Sequence, residues 1–238
     1  MRKGAQIIYK EYLYSDSIEK WPKWLDVSGI LFNRESYDGT FFATPLFALN
    51  EHATMQEVDI FLGYIIDYNH LSDDEDRNDF GFTLTDEPKS TLENLLEYIN
   101  RHPDYMVDPD GGLILFEGDK EIFFGCCEHI SGGLEVIEEI LNKKSPCTGH
   151  YSWIGVEFVN DSIIVLANVW VGKCENPRDN IANIEFSETE LHALLHQAKR
   201  DVMLFLQKPF KQRLTELHAE IADELTQAVM EWFGVADA

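Results

Sequence analysis

The sequence predicts an α+β protein: an antiparallel sheet with β-hairpins, packed by helices, with two long C-terminal helices. Short apolar runs joined by turn residues fill the middle of the chain, and amphipathic stretches of helical period fill its end. The 238 residues include 45% apolar and 12% aromatic side chains, which is enough for a sizeable core. We expect a single domain over residues 1–238, with a weak seam near 100–111.

The first half of the chain has the fewest regular patterns. Gly39 to Leu49 predicts a strand, whereas the apolar run from Glu57 to Asn69 does not decide between a helix and a strand. Pro88 to Ile99 carries a helical apolar stripe. Ser90 is the expected N-cap of that helix, with Glu93 as its capping-box partner.

Two β-hairpins are predicted in the second half, each with a short turn between its strands. Gly112 to Phe116 pairs with Glu121 to Gly125, and Ser152 to Val159 pairs with Ile163 to Val171. Between the hairpins, Leu134 to Asn142 predicts a short helix. These hairpins are the basis for an antiparallel sheet.

The C-terminal part predicts one more strand and then the two long helices. Ile181 to Phe186 reads as a strand, and Ser187 with Glu190 forms a capping box that opens the first helix. Pro209 is expected to break or kink the helical run. The second long helix follows from Phe210 to Phe233.

Acidic residues dominate the charge of the chain. Asp and Glu number 43 against 19 Lys and Arg, a formal net charge of −24, and eighteen of the acids against three bases fall between Glu51 and Asp119. Such a field repels nucleic acid and anionic membranes, and it attracts cationic partners. We therefore expect a basic protein partner and neither nucleic acid nor membrane.

The basic residues are concentrated late in the chain. They are expected to pair either with the acidic middle of the same chain or with a second copy, so that a homodimer through the C-terminal helices stays open. The five residues are Lys199, Arg200, Lys208, Lys211 and Arg213.

Cytoplasmic localisation is expected. The N-terminus lacks an apolar run of signal-peptide length, and no stretch approaches the roughly 18 apolar residues of a membrane helix. The 4 cysteines show no CxxC spacing, and a chain with this core does not need disulfide bonds. Reduced thiols fit these features.

No metal or cofactor is expected. The acidic run from Asp74 resembles an EF-hand loop at its first positions, but Asp79 replaces the required glycine and Thr85 replaces the final glutamate. His192 and His196 have the spacing of a metalloprotease helix, but Ala193 replaces the catalytic glutamate. Solvated or partly exposed side chains are the better interpretation of both.

The string Cys126-Cys127-Glu128-His129 is the most reactive one in the sequence. A thiol nucleophile needs a positioned base, which His129 or His150 can supply after folding. A zinc site that includes Cys147 matches no known spacing. Cysteine is often buried at strand ends, so a structural role is favoured for these thiols. A cysteine- and histidine-dependent hydrolase or transferase is the enzymatic alternative.

Ser131-Gly132-Gly133 is a weak candidate for anion binding.

The chain is acidic and has the predicted α+β character. It also contains a run from Glu175-Asn176-Pro177 to Ile184-Glu185-Phe186, followed by a Leu-rich helix from Leu191. In these features it resembles immunity proteins of bacterial polymorphic-toxin systems. This resemblance implies a non-enzymatic protein that neutralises a cognate, basic toxin domain by covering its active site. A dimeric adaptor or scaffold is a further alternative.

Two acidic segments with adjoining aromatic residues are the predicted partner-binding site. Carboxylates there can steer association with a basic partner, and the aromatic side chains can anchor it. The residues are Asp67, Tyr68, Asp73, Asp74, Glu75, Asp76, Asp79 and Phe80 in the first segment, and Asp104, Tyr105, Asp108 and Asp110 in the second.

Overall fold

A computed structural model gives the structure of the chain for residues 2–10, 13–28, 30, 34–35, 41–43, 45–70, 81–103, 106, 108–124, 129–146, 154–168 and 181–236. The elements up to residue 101 are β1 (Lys3–Lys10), β2 (Leu13–Tyr14), α1 (Ser15–Glu19), β3 (Arg34–Glu35), β4 (Phe41–Ala43), β5 (Leu46–Ala48), α2 (Met55–Asn69) and α3 (Pro88–Arg101). Those that follow are β6 (Gly111–Glu117), β7 (Lys120–Phe124), α4 (Ile130–Leu141), β8 (Ile154–Val159), β9 (Ser162–Asn168), β10 (Ile181–Ser187), α5 (Glu188–Phe205), α6 (Lys211–His218) and α7 (Ala222–Trp232).

These elements confirm the predicted α+β class with antiparallel hairpins and helices. The chain forms two compact units, one made of Met1–Ile8 with Asp110–Asp201 and the other of Tyr9–Pro109 with Val202–Ala238. One passage between the units falls after Pro109, inside the segment 100–111.

The first unit contains both predicted hairpins. Strands β6 and β7 are antiparallel, with Leu113 opposite Phe124 and Leu115 opposite Ile122, and all four side chains are buried. Strands β8, β9 and β10 form an antiparallel sheet in the order β10-β9-β8. The alternation of buried residues along β6 and β7 places one face of this hairpin in the core.

Helix α4 begins at Ile130, four residues before the predicted start, so Gly132 and Gly133 lie inside its first turn. A Cβ on Gly133 would lie 2.8 Å from Cα of Gly112 and 2.8 Å from the backbone nitrogen of Leu113. The glycine therefore allows the helix to pack directly on the backbone of β6. Close packing, rather than anion binding, explains Gly133.

The second unit is mainly helical, and α3, α6 and α7 contact one another. Its core contains an aromatic cluster in which the Phe61 ring lies 5.1 Å from Phe205, 5.8 Å from Phe210 and 6.2 Å from Phe233. A small antiparallel sheet has the order β2-β4-β3. Aromatic burial of this kind supplies much of the energy that holds helices together.

The segment that the sequence left undecided, Glu57 to Asn69, belongs to helix α2. Thr54 caps this helix: its hydroxyl accepts a hydrogen bond from the Glu57 backbone at 3.2 Å, and the Glu57 carboxylate accepts one from the Thr54 backbone at 2.7 Å. This is a complete capping box, which satisfies backbone donors at the helix start.

Ser90 is not the N-cap of α3, so that prediction is wrong. The helix begins at Pro88, and its N-cap is Glu87, which makes no side-chain capping bond. Proline at the first helical position has the required φ and no unsatisfied N–H, and it therefore starts the helix earlier than a serine cap would. The Thr91 hydroxyl donates to the Thr85 carbonyl at 2.9 Å and helps to hold the entering chain.

The helical backbone does not break at Pro209. Residues Leu206–Phe210 form a π-helical turn that joins α5 directly to α6. A wider turn accommodates a residue that lacks an N–H and whose ring crowds the preceding carbonyls. The second predicted helix is instead interrupted at residues 219–221 and appears as α6 and α7.

Candidate functional site

Four of the twelve predicted partner-binding residues lie in the described part of the chain: Asp67, Tyr68, Asp108 and Asp110. The other eight, which lie outside the described residues, are Asp73, Asp74, Glu75, Asp76, Asp79, Phe80, Asp104 and Tyr105. The four cysteines and His150 also lie outside them.

Asp67 and Tyr68 occupy the last turn of α2, where both are partly buried. The Asp67 carboxylate lies 4.0 Å from Nδ1 of His70 and is 16% exposed. The Tyr68 ring stacks on Tyr64 with centroids 4.2 Å apart. Both side chains therefore combine local packing with a limited exposed surface.

Asp108 and Asp110 have different environments, although one residue separates them. Asp108 is buried, with 7% exposure, so it adds little to the surface of the second unit. Asp110 is 45% exposed, and its Oδ1 lies 3.1 Å from Nδ1 of His129. Asp110 and His129 also form an isolated antiparallel bridge in the first unit.

Many acids of the segment 51–119 have ionic partners within their own unit. Basic residues of the C-terminal helices supply two of these partners: Lys208 pairs with Glu51, and Arg213 pairs with Asp59. The hydrogen bond and the charge of Lys208 hold the pKa of Glu51 below its ordinary value. Pairing within the chain is thus confirmed for these two bases, and the sequence charge overstates the number of uncompensated carboxylates.

The Asp59–Arg213 pair is the most buried of these interactions. Nε of Arg213 donates to Asp59 Oδ1 at 2.7 Å and Nη2 donates to Oδ2 at 3.0 Å, a bidentate arrangement, while Asp59 is 1% exposed. Nη2 also donates to the Trp24 carbonyl at 3.0 Å, and Asp59 Oδ2 accepts from the Asp26 backbone at 2.8 Å. Burial acts to lower the pKa of Arg213, but the hydrogen bonds and charge of its acidic partners raise it overall.

The ends of the first acidic segment lie close together. His70 pairs with Phe82 in a parallel bridge, and the Phe82 backbone nitrogen donates to the Asn69 carbonyl at 3.2 Å. The Phe82 ring lies 6.1 Å from Tyr98, which lies 5.4 Å from His102. We call this region, defined by His70, Phe82, Tyr98 and His102, the α3 corner.

A polar pocket of about 230 Å³ opens at the α3 corner. The pocket was not predicted from the sequence, although positions 94, 97, 98 and 101 share one face of a helix. Its lining residues are Gly81, Phe82, Thr83, Asn94, Glu97, Tyr98, Arg101 and His102. Asn94 is fixed by a 2.8 Å hydrogen bond to the Thr83 carbonyl, and burial raises the pKa of Tyr98.

A second cleft, of about 480 Å³, lies in the first unit at the start of α5 and is lined in part by His192. Glu188 in this cleft pairs with Lys143 at 2.8 Å, and that hydrogen bond holds the pKa of Glu188 below its ordinary value. His196 is not among the lining residues. Within the ranges that the structure describes, no three His, Cys, Asp or Glu side chains are grouped to hold a metal ion.

None of the helices in the described ranges is both long and apolar enough to cross a membrane. No protein-family model, no curated protein and no solved structure matches this chain.

Proposed function

We propose that this chain is a cytoplasmic bacterial immunity protein, which binds a cognate toxin domain with a basic surface and occludes its active site. The proposal assigns no reaction to the chain itself. Its net charge of −24 supports a cationic partner, because a field of this sign accelerates encounter with positive surfaces and repels negative ones.

The observation that carries the proposal is the common anchoring of the two acidic segments at the α3 corner. The first segment lies between His70 and Phe82, which pair with each other, and the second begins directly after His102 and Pro103. Segments that the sequence separates by α3 therefore leave the described fold at one region. A partner that contacts this corner can engage the first segment and the start of the second, at Asp104 and Tyr105.

Carboxylates and aromatic side chains have different tasks in such an interface. The acids steer association and can occupy positions where an enzyme with a basic cleft would hold phosphate groups. The aromatic anchors Tyr68, Phe80 and Tyr105 are expected to supply most of the affinity, as large buried side chains do in protein interfaces. The weaker salt dependence of the aromatic contacts separates the two contributions.

Capture of the tagged chain after expression with its neighbouring genes tests this function. We expect mass spectrometry to identify a basic protein domain whose retention falls between low and moderate salt. That domain should lose its toxic activity when the chain is added in equimolar amount. A captured domain that stays fully active in the complex contradicts the proposal.

The His129–Asp110 contact favours one second candidate, a cysteine- and histidine-dependent hydrolase or transferase. A carboxylate 3.1 Å from Nδ1 can hold an imidazole in the tautomer whose other nitrogen accepts a proton. Cys126 and Cys127 lie just before His129 in the sequence. In that mechanism His129 is the base and Asp110 is its positioning residue.

Alanine at Cys126 and Cys127 is expected to leave neutralisation of the partner unchanged, because the proposed interface needs neither thiol. The check is the inhibition curve of the double variant against that of the native chain, with thermal unfolding as the control for folding. Rapid alkylation of one cysteine at neutral pH, slowed by Asp110→Asn, would instead support the enzyme.

A further inference from the structure

The pocket at the α3 corner has the size of a single side chain. Its volume of about 230 Å³ is below the roughly 300–1,000 Å³ that is usual for small-molecule sites. It opens beside the region from which both acidic segments leave the described fold. An occupant supplied by a bound protein therefore fits its dimensions better than a metabolite does.

Tyr98 is a largely buried aromatic residue of this pocket. The residue is 6% exposed and lines the pocket, with its ring centroid 6.1 Å from that of Phe82 and 5.4 Å from that of His102. A phenolic oxygen can both donate and accept, so it can accept a hydrogen bond from an occupant with N–H groups.

Glu97, Arg101 and the helix end set the charge of the pocket. The Glu97 carboxylate is 56% exposed and pairs with Arg101 one turn later, whose guanidinium is 68% exposed. The pocket lies at the C-terminal end of α3, where the helix dipole favours cations. Together with the net charge of −24, these features disfavour an anionic occupant.

We propose that this pocket receives an arginine side chain of the basic partner, which takes the place of Arg101 on the Glu97 carboxylate. The inference rests on the proposed function and names the contact that the partner makes. The incoming guanidinium stacks on the Tyr98 and His102 rings and donates to the Tyr98 hydroxyl. Planar guanidinium groups suit such combined stacking and carboxylate contacts better than ammonium groups do.

Arg101 acts in this arrangement as an internal competitor for Glu97. Its exposed side chain can swing into solvent without disturbing the fold, because only the ion pair with Glu97 holds it within the described residues. Removal of Arg101 should therefore tighten binding, while removal of the Glu97 charge should weaken it. Opposite effects from two neighbouring residues distinguish an arginine pocket from a general contribution to the surface charge.

Titration of the full chain with N-acetyl-L-arginine amide, followed by NMR, tests the proposal without any partner protein. We expect shifts at the Tyr98 and His102 resonances, and none with the uncharged N-acetyl-L-citrulline amide. Glu97→Gln should weaken binding about two- to fivefold and Arg101→Gln should strengthen it by a similar factor, the size expected for a half-exposed ion pair. Glu87→Gln, which removes the same charge at the other end of α3, should change binding less than about twofold.

Three results would overturn the inference: equal shifts with the citrulline probe, no shift with either probe, or shifts at Tyr98 with sodium acetate in place of the arginine probe. Because the titration contains only the chain and a small molecule, it is independent of the toxin partner. Arginine binding without capture of a basic domain would leave the pocket intact and count against the proposed function alone.

Discussion

Arg213→Met is expected to lower the free energy of unfolding by about 3–5 kcal/mol. The variant leaves the carboxylate of Asp59, which is 1% exposed, buried without its bidentate partner. It also removes the hydrogen bond to the Trp24 carbonyl. An unpaired buried charge costs more than the lost attraction alone, because its desolvation is no longer compensated.

Urea denaturation followed by tryptophan fluorescence measures this effect. Lys211→Met is the matched control, because Lys211 lies on the same helix but pairs with Asp223, whose side chain is 84% exposed. That control should lose less than about 1 kcal/mol. If the two variants unfold at the same urea concentration, the Asp59–Arg213 pair is not the stabilising element proposed here.

A second variant separates the loss of a pair from the loss of packing. Asp59→Leu combined with Arg213→Met replaces both charges with apolar groups, which is often neutral or favourable for a buried pair. The double variant should regain part of the stability that Arg213→Met loses. Full recovery is not expected, because the Asp26 backbone nitrogen and the Trp24 carbonyl both lose a partner.

The sequence contained enough information for the regular elements but not for their exceptions. The hairpin registers follow from alternation and turn residues, such as Gly118 and Asn160, whose φ values of 62° and 54° suit tight turns. Helix α2 was also decidable, because Thr54 and Glu57 form a complete capping-box pattern ahead of the apolar run. The continuation through Pro209 was not decidable, since the general rule for proline predicts a break.

The candidate site was harder to predict, because partners far apart in sequence decide which charges stay available. Arg213 and Asp59 are 154 residues apart in sequence, so no local sequence pattern predicts that they pair. Composition counts such a carboxylate in the same way as an exposed one, although it belongs to the core. The pocket at the α3 corner depends likewise on the bridge between His70 and Phe82, which only the folded chain brings to Tyr98.

These pairings narrow the surface that can act on a partner. Glu51, Asp59 and Glu93 each have a basic partner or a histidine in the second unit, and Glu93 lies 2.9 Å from Nε2 of His218. The opposite charge of the basic partner partly cancels the electrostatic field that such a carboxylate exerts on a distant molecule. If the proposed function holds, we expect electrostatic steering to depend on the acidic tract that has few bases near it in sequence, the segment from Asp73 to Asp79.

Charge reversal in that tract is expected to give the largest functional effect. Simultaneous substitution of four acids by lysine should slow association with the basic partner by at least about tenfold at low salt. The four residues are Asp73, Asp74, Glu75 and Asp76. The dependence of the association rate on salt should flatten as well, because fewer attractive charges remain to be screened. Stopped-flow or surface-based kinetics over a range of salt concentrations measure both quantities.

The matched control reverses four exposed acids of the first unit, Asp119, Glu121, Glu135 and Glu157. It changes the net charge by the same amount, so any effect of total charge alone is equal in the two variants. Steering by the 73–76 tract predicts a much smaller loss of rate in the control, because local charges near the contact dominate the encounter. Equal slowing in both variants would assign the rate to the overall field and remove the tract from the interface.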